Sequence, residues 1–237
     1  MKIHNFLSLS LLFLTLFSCA GRINGSLSAD GSAALSINMS LEPRMTAMIR
    51  SFGAAMGQTN GSILDAAAIA KSMSAAPGIA SVSLKNTSPS AVEGTVRLSK
   101  AGEFLAAANN GNNQKKFIVF EQGNGGRCEI NISRTNGPVI LELLSQEIAD
   151  YLNALMAPIA TGENLNKAEY LELVAAMYNK AVSDEIAGSR IRASINFPGS
   201  ITSVKGGTFS GRRADFDISL LDLLVLETPF SIEAAWK

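Results

Sequence analysis

A twelve-residue apolar run, Phe6 to Phe17, stands apart from a chain that otherwise alternates. It is built almost entirely of Leu, Phe, Ser and Thr, and it is too short for a bilayer-spanning helix, which needs about 20 apolar residues. Beyond it, Ile23, Gly25, Leu27 and Ala29 alternate with polar residues. Asp30-Gly31 marks a turn, and Ala33, Leu35, Ile37, Met39 and Leu41 alternate again. The pattern predicts a β-hairpin. From Pro43 the spacing becomes helical through Met45, Met48, Ile49, Phe52 and Met56, until Gly57 to Gly61 interrupt it. Ser62, with Asp65 three residues on, predicts the start of a second helix that Pro77-Gly78 ends. The Met and Ala richness of these helices fits either ordinary core or an adaptable apolar groove. Ile79–Leu84 and Val92–Leu98 read as strands, Lys100–Ala108 as a helix, and Asn109–Gln114 as a polar loop. Lys116–Glu121 and Arg127–Arg134 form a hairpin around the glycine-rich turn 122–126. That turn lacks the Gly-Lys-Ser/Thr ending and following helix of a phosphate loop.

Pro138 suits a first helical position. Ile140, Leu143, Leu144, Ile148, Tyr151, Leu152, Leu155 and Met156 then make the strongest amphipathic stripe in the chain, closed by Pro158 and Gly162. Asn166, with Glu169 three residues later, opens a second stripe running from Tyr170 to Ile186. Together they predict a helical hairpin over Pro138–Ala187. Ile191 to Phe197 alternate, Pro198-Gly199 turns, and short strands follow to Leu220. Phe230, Ile232, Ala234 and Trp236 form a last strand, with Trp236 as a core or sheet-edge plug. The expected fold is α+β: an antiparallel β-sheet with an amphipathic helical hairpin packed on one face.

The chemistry is sparse. The only histidine, His4, lies in the leader, which removes Ser-His-Asp and Cys-His catalysis and every His-ligated metal site. Twenty basic and twenty acidic residues balance, so no basic excess points to nucleic acid. Of the two cysteines, Cys128 lies on the inward-facing side of a predicted strand with Ile130 and Ile132, and reads as a small buried hydrophobe rather than a nucleophile. Asp215 and Asp217 are two apart on a strand and share a face. They are the one carboxylate pair that acid–base work or Ca²⁺ could use, and their simpler reading is a solvent-facing strand edge opposite Ala214, Phe216 and Ile218. Glu142, Glu147 and Asp150 read as the wet face of a helix. No catalytic residue, cofactor site or metal site is assigned.

The leader ends Leu16-Phe17-Ser18-Cys19-Ala20. This resembles a bacterial lipobox of the looser spirochaete or Bacteroidetes type, with Leu three residues before Cys and a small residue just before it. Phe17 stands where the enterobacterial form has a small residue. The resemblance implies a cleaved signal peptide over 1–18. It also implies a lipidated Cys19 carrying a diacylglyceryl thioether and an N-acyl chain such as palmitate, with one mature domain over 19–237. Two or three acyl chains anchor stably where one does not.

The segment Arg192–Gly211 runs strand, Phe197-Pro198-Gly199, short strand, Gly206-Gly207, strand. It resembles the LppM-type lipoprotein domain, which also places an Asp-Gly hairpin shortly after the lipidated cysteine, as Asp30-Gly31 does here. That resemblance implies an α+β, membrane-anchored envelope protein and supplies no catalytic residues. The expected function is therefore that of a bacterial cell-envelope lipoprotein without enzymatic activity. It would be held by the lipid on Cys19 at the outer side of the inner membrane or on the outer membrane, and would be partner-binding or structural. Its partners are the membrane and an envelope protein, and no nucleic acid. The alternative is a lipid- or apolar-ligand-binding lipoprotein, with the ligand between the sheet and the helical hairpin.

Overall fold

The computed structural model describes residues 20–55, 62–109, 116–137 and 151–237. Strand β1 (Ala20–Leu27) turns at Asp30-Gly31 into β2 (Ala33–Ser40), in the antiparallel hairpin that the alternation predicts. Asp30 holds the turn by accepting hydrogen bonds from the Ser32 amide and hydroxyl at 2.9 and 2.7 Å. Helix α1 (Pro43–Ala55) follows, then α2 (Ala66–Ser74). Asp65, not Ser62, caps α2. Its carboxylate accepts from the Ala67 and Ala68 amides, the two donors a cap residue reaches.

Next come β3 (Ile79–Ser88), β4 (Ala91–Leu98), α3 (Ala101–Ala108), β5 (Ile118–Gln122) and β6 (Gly126–Ile132). Residues 151–154 are helical, and the rest of the first amphipathic stripe, 138–150, lies outside the described residues, as do Glu142, Glu147 and Asp150. The second stripe is two helices, not one: α5 (Lys167–Met177) and α6 (Lys180–Gly188), preceded by the short α4 (Pro158–Thr161). Asn166 and Glu169 form the expected capping box at the start of α5. The break falls at Asn179, whose extended backbone and side-chain bond to the Val182 amide start α6 afresh. An asparagine that satisfies a helix amide competes with the continuous backbone ladder.

The chain ends with β7 (Arg190–Asn196), β8 (Ile201–Lys205), β9 (Thr208–Ser210), β10 (Arg213–Ser219), α7 (Leu220–Val225) and β11 (Phe230–Trp236). Periodicity does not announce α7, because Leu220, Leu221, Leu223, Leu224 and Val225 are all buried and the single polar residue among them, Asp222, is too little to show a helical period in six residues. Ser219 caps it through the Asp222 amide.

The fold is α+β as expected, but the single antiparallel sheet is corrected in two ways. The strands form two sheets, a seven-stranded one in the order β3-β4-β2-β1-β7-β10-β9 and a four-stranded one in the order β5-β6-β11-β8. The central pair β1–β7 is parallel. Alternation gives the face of each residue and says nothing about which distant strand it meets, or in which direction. The chain passes between the sheets at Gly206-Gly207, since β8 pairs with β11 and β9 with β10. The inner face of the large sheet, with Ile37, Met39, Val92, Val96, Ile191 and Phe216, shares one core with Met45, Ile49, Leu155, Tyr170, Val174, Ile186 and Leu221 from the helical side. Glu185 on α6 ties the layers by accepting from the Arg44 and Met45 amides at the start of α1, at 3.0 and 2.9 Å.

Candidate functional site

The opposite face of the large sheet is polar from edge to edge. Register places Lys85, Glu93, Asn38, Arg22, Arg192 and Asp217 side by side across six strands. One step along lie Ser83, Thr95, Ser36, Asn24, Ser194, Asp215 and Thr208 across all seven. The step after brings Arg97, Ser26, Asn196 and Arg213. These positions are the polar halves of the alternations that bury Ile37, Val92, Ile191 and Phe216, so one pattern builds both the core and this surface.

Toward β10 the face dips into a cleft of about 480 Å³, bounded by Arg22, Asn24, Arg192, Ser194, Thr208, Arg213, Asp215, Asp217 and the Gly206-Gly207 turn. Both sequence-singled carboxylates lie here, on the face opposite buried Ala214 and Phe216. Asp215 is not at a strand edge: β10 lies between β7 and β9, and Asp215 pairs with Thr208. Arg213 grips it, with Nε and Nη2 at 2.9 and 2.7 Å from Oδ1. Hydrogen bonds from Arg213 and then from Ser194 hold its carboxyl below the usual aspartate value, so it stays ionised through mildly acidic pH. Asp217 stands 3.9 Å from Arg192. Each carboxylate thus faces an arginine and not the other carboxylate, which is unlike a proton-sharing acid pair. Arg22 and Arg192, from opposite ends of the chain, are juxtaposed only by the β1–β7 pairing, and neither alternation marks them.

Cys128 occupies β6 between Phe120 and Ala234. Desolvation, with a smaller push from the Glu129 charge, raises its thiol pKa to about 12. Cys128 is half-buried and packs against the core, on the apolar side that its pattern suggested. Iodoacetamide at pH 8 is therefore expected to alkylate Cys128 on the order of a hundredfold or more slower in the native protein than in urea. Rapid labelling of the folded chain, tracked by intact mass, would contradict this. Cys19 lies outside the described residues.

A second concavity, about 460 Å³, opens between α1 and the α5–α6 break, lined by Ala47, Met48, Met177, Tyr178 and Val182. A smaller space at Leu41, Met45, Ile49, Tyr151, Leu155, Leu220 and Leu224, lined mainly by helical residues, amounts to about 10 Å³ among the described residues. No helix of the described residues is long and apolar enough to cross a membrane.

Neither a protein-family model nor a curated protein sequence matches the chain. Among solved structures it is similar to the NMR structure of the folded domain of LppM from Mycobacterium tuberculosis. Identity is 12%, coverage is 92% of this chain and 88% of that one, and the TM-score is 0.40.

Proposed function

We propose that this chain is a bacterial envelope lipoprotein without catalytic activity, anchored through lipid on Cys19, which acts by binding a partner or as a structural component. The observation that carries the reading is the position of β1. It begins at Ala20, the residue after the lipobox cysteine, and it is the middle strand of the seven-stranded sheet. A lipid on Cys19 is thereby joined to the most central strand of the domain without a linker. Two or three acyl chains would hold the domain against the bilayer, with the broad polar sheet face left free for a partner.

The test is Cys19→Ala in the full-length protein. The wild type is expected to incorporate labelled palmitate and to enter the detergent phase of a Triton X-114 partition, whereas the variant incorporates none. In urea the wild type is expected to bind one iodoacetamide, at Cys128, because a thioether blocks the other of its two cysteines. A wild type that takes up no palmitate and binds two would overturn the reading.

The alternative, a lipid- or apolar-ligand-binding lipoprotein, draws support from the groove beside Met48 and Met177. Met177 is 48% exposed, unusual for a residue of its size and apolarity. Co-purifying lipid in native mass spectra of the full-length protein, lost on Met177→Glu, is the result expected of this alternative.

A further inference from the structure

We propose that the cleft at Arg22 and Arg192 is an anion-binding site, taking a ligand that presents a phosphate or carboxylate group. The inference stands on the sheet register and does not depend on lipidation of Cys19.

Arg22 and Arg192 are direct Cα partners on neighbouring parallel strands, about 4.8 Å apart at the backbone. Like charges directly opposite one another oppose sheet formation, so strand pairing gives no reason for two arginines here. The other flank of Arg22 is neutral, because its partner on β2 is Asn38. Its neighbour along the same face of β1, Asn24, is neutral as well. Among the described residues Arg22 makes no ion pair, while Lys85, Arg192 and Arg213 on the same face each reach a carboxylate. Arg192 is only loosely matched, at 3.9 Å from Asp217. Arg213 is fully engaged by Asp215.

The cleft lining therefore carries three arginines and two carboxylates in a chain that is neutral as a whole. The unmatched charge is concentrated on adjacent guanidinium groups. Two guanidinium forks side by side suit the bidentate geometry of phosphate and carboxylate. Asn24 and Thr208 add an amide and a hydroxyl along the same wall. A volume of about 480 Å³ accommodates one charged group with a small organic portion, or the charged end of a larger molecule.

Two probes test this on the full-length protein in neutral detergent at low ionic strength: inorganic phosphate, and phosphatidylglycerol carried at rising mole fraction in the detergent micelles. The expected result is saturable binding of at least one probe, weakened about tenfold by Arg22→Gln and by Arg192→Gln. Arg97→Gln, which removes an equal charge from the same face but outside the cleft, is expected to leave it unchanged. Arg22→Gln breaks no ion pair, so its unliganded melting temperature should equal or exceed that of the wild type, which separates lost binding from lost folding. Weakening seen with phosphate places the ligand in solution, and weakening confined to the phosphatidylglycerol micelles places it on a lipid headgroup. Either supports the site. Absence of saturable binding to both probes, or an equal loss in Arg97→Gln, would overturn it.

Discussion

Trp236→Ala is expected to lower the free energy of unfolding by about 3–5 kcal/mol, the range for emptying a buried aromatic site. Trp236 is the only tryptophan of the chain and sits in the last strand, β11, at 4% exposure. Its indole stacks on Phe197 at a centroid distance of 4.7 Å and 30° between planes, and meets Phe120 at 6.3 Å. Phe197 directly follows β7 of the large sheet, whereas Phe120 belongs to β5 of the small one. The ring therefore fills the junction between the sheets. Gly126 makes room for it: a Cβ there would lie 2.2 Å from the indole. The cost is set by how far Phe197, Phe120 and Gly126 can close over the void left by alanine. Urea denaturation followed by far-UV circular dichroism measures this, since the variant has no tryptophan fluorescence to follow. A loss below about 1 kcal/mol would mean that the sheets are held together elsewhere.

Gly78→Ala is the second large effect, at about 2–5 kcal/mol. Gly78 has φ +76°, a left-handed conformation that costs an L-residue about 1–2 kcal/mol. A Cβ would also meet the Lys100 carbonyl oxygen at 2.3 Å and the Phe104 amide nitrogen at 3.0 Å. Both are backbone atoms, and forced overpacking of this kind adds about 1–3 kcal/mol. The contact is close because the Gly78 carbonyl accepts from the Ser99 amide at 2.8 Å and the Lys100 amide at 3.3 Å, pinning the start of β3 to the start of α3. Gly162→Ala is the matched control. Its φ is +75°, but nothing lies within 4 Å of the added Cβ, so only the conformational part of the cost, about 1–2 kcal/mol, applies. Equal losses at the two positions would show that the close approach to Lys100 carries no energy.

Much of the architecture could be read along the chain, because the physics involved is local. The period-two alternation of Ile23 to Leu41 determined strands with one wet and one dry face, and that of Phe230 to Trp236 a further strand. Asn166 and Glu169 determined a helix start, since a cap needs only a side chain three residues from its amide. The apolar company of Cys128 determined that it packs against the core, where desolvation raises its thiol pKa. Two local readings failed where a side chain competed with the backbone or where patterning vanished. Asn179 split one apolar stripe into α5 and α6, and Leu220–Val225, buried at every position but Asp222, was too short to present a period to read.

The candidate site belongs to the other category. Asp215 and Asp217 could be found as a pair, but their arginine partners, Arg213 and Arg192, follow from rotamer and from cross-strand register. Arg22 lies near one end of the chain and Arg192 near the other, and no local signal couples them. What the sequence alone determined was the type and the wet and dry faces of most elements. What only the tertiary structure decided was the division into two sheets, the parallel β1–β7 pair, and therefore the meeting of Arg22 with Arg192. The physical reason is that alternation is set by neighbours along the backbone. Strand partner, direction and register are set by how distant segments share a common core, and no short window of sequence contains that information.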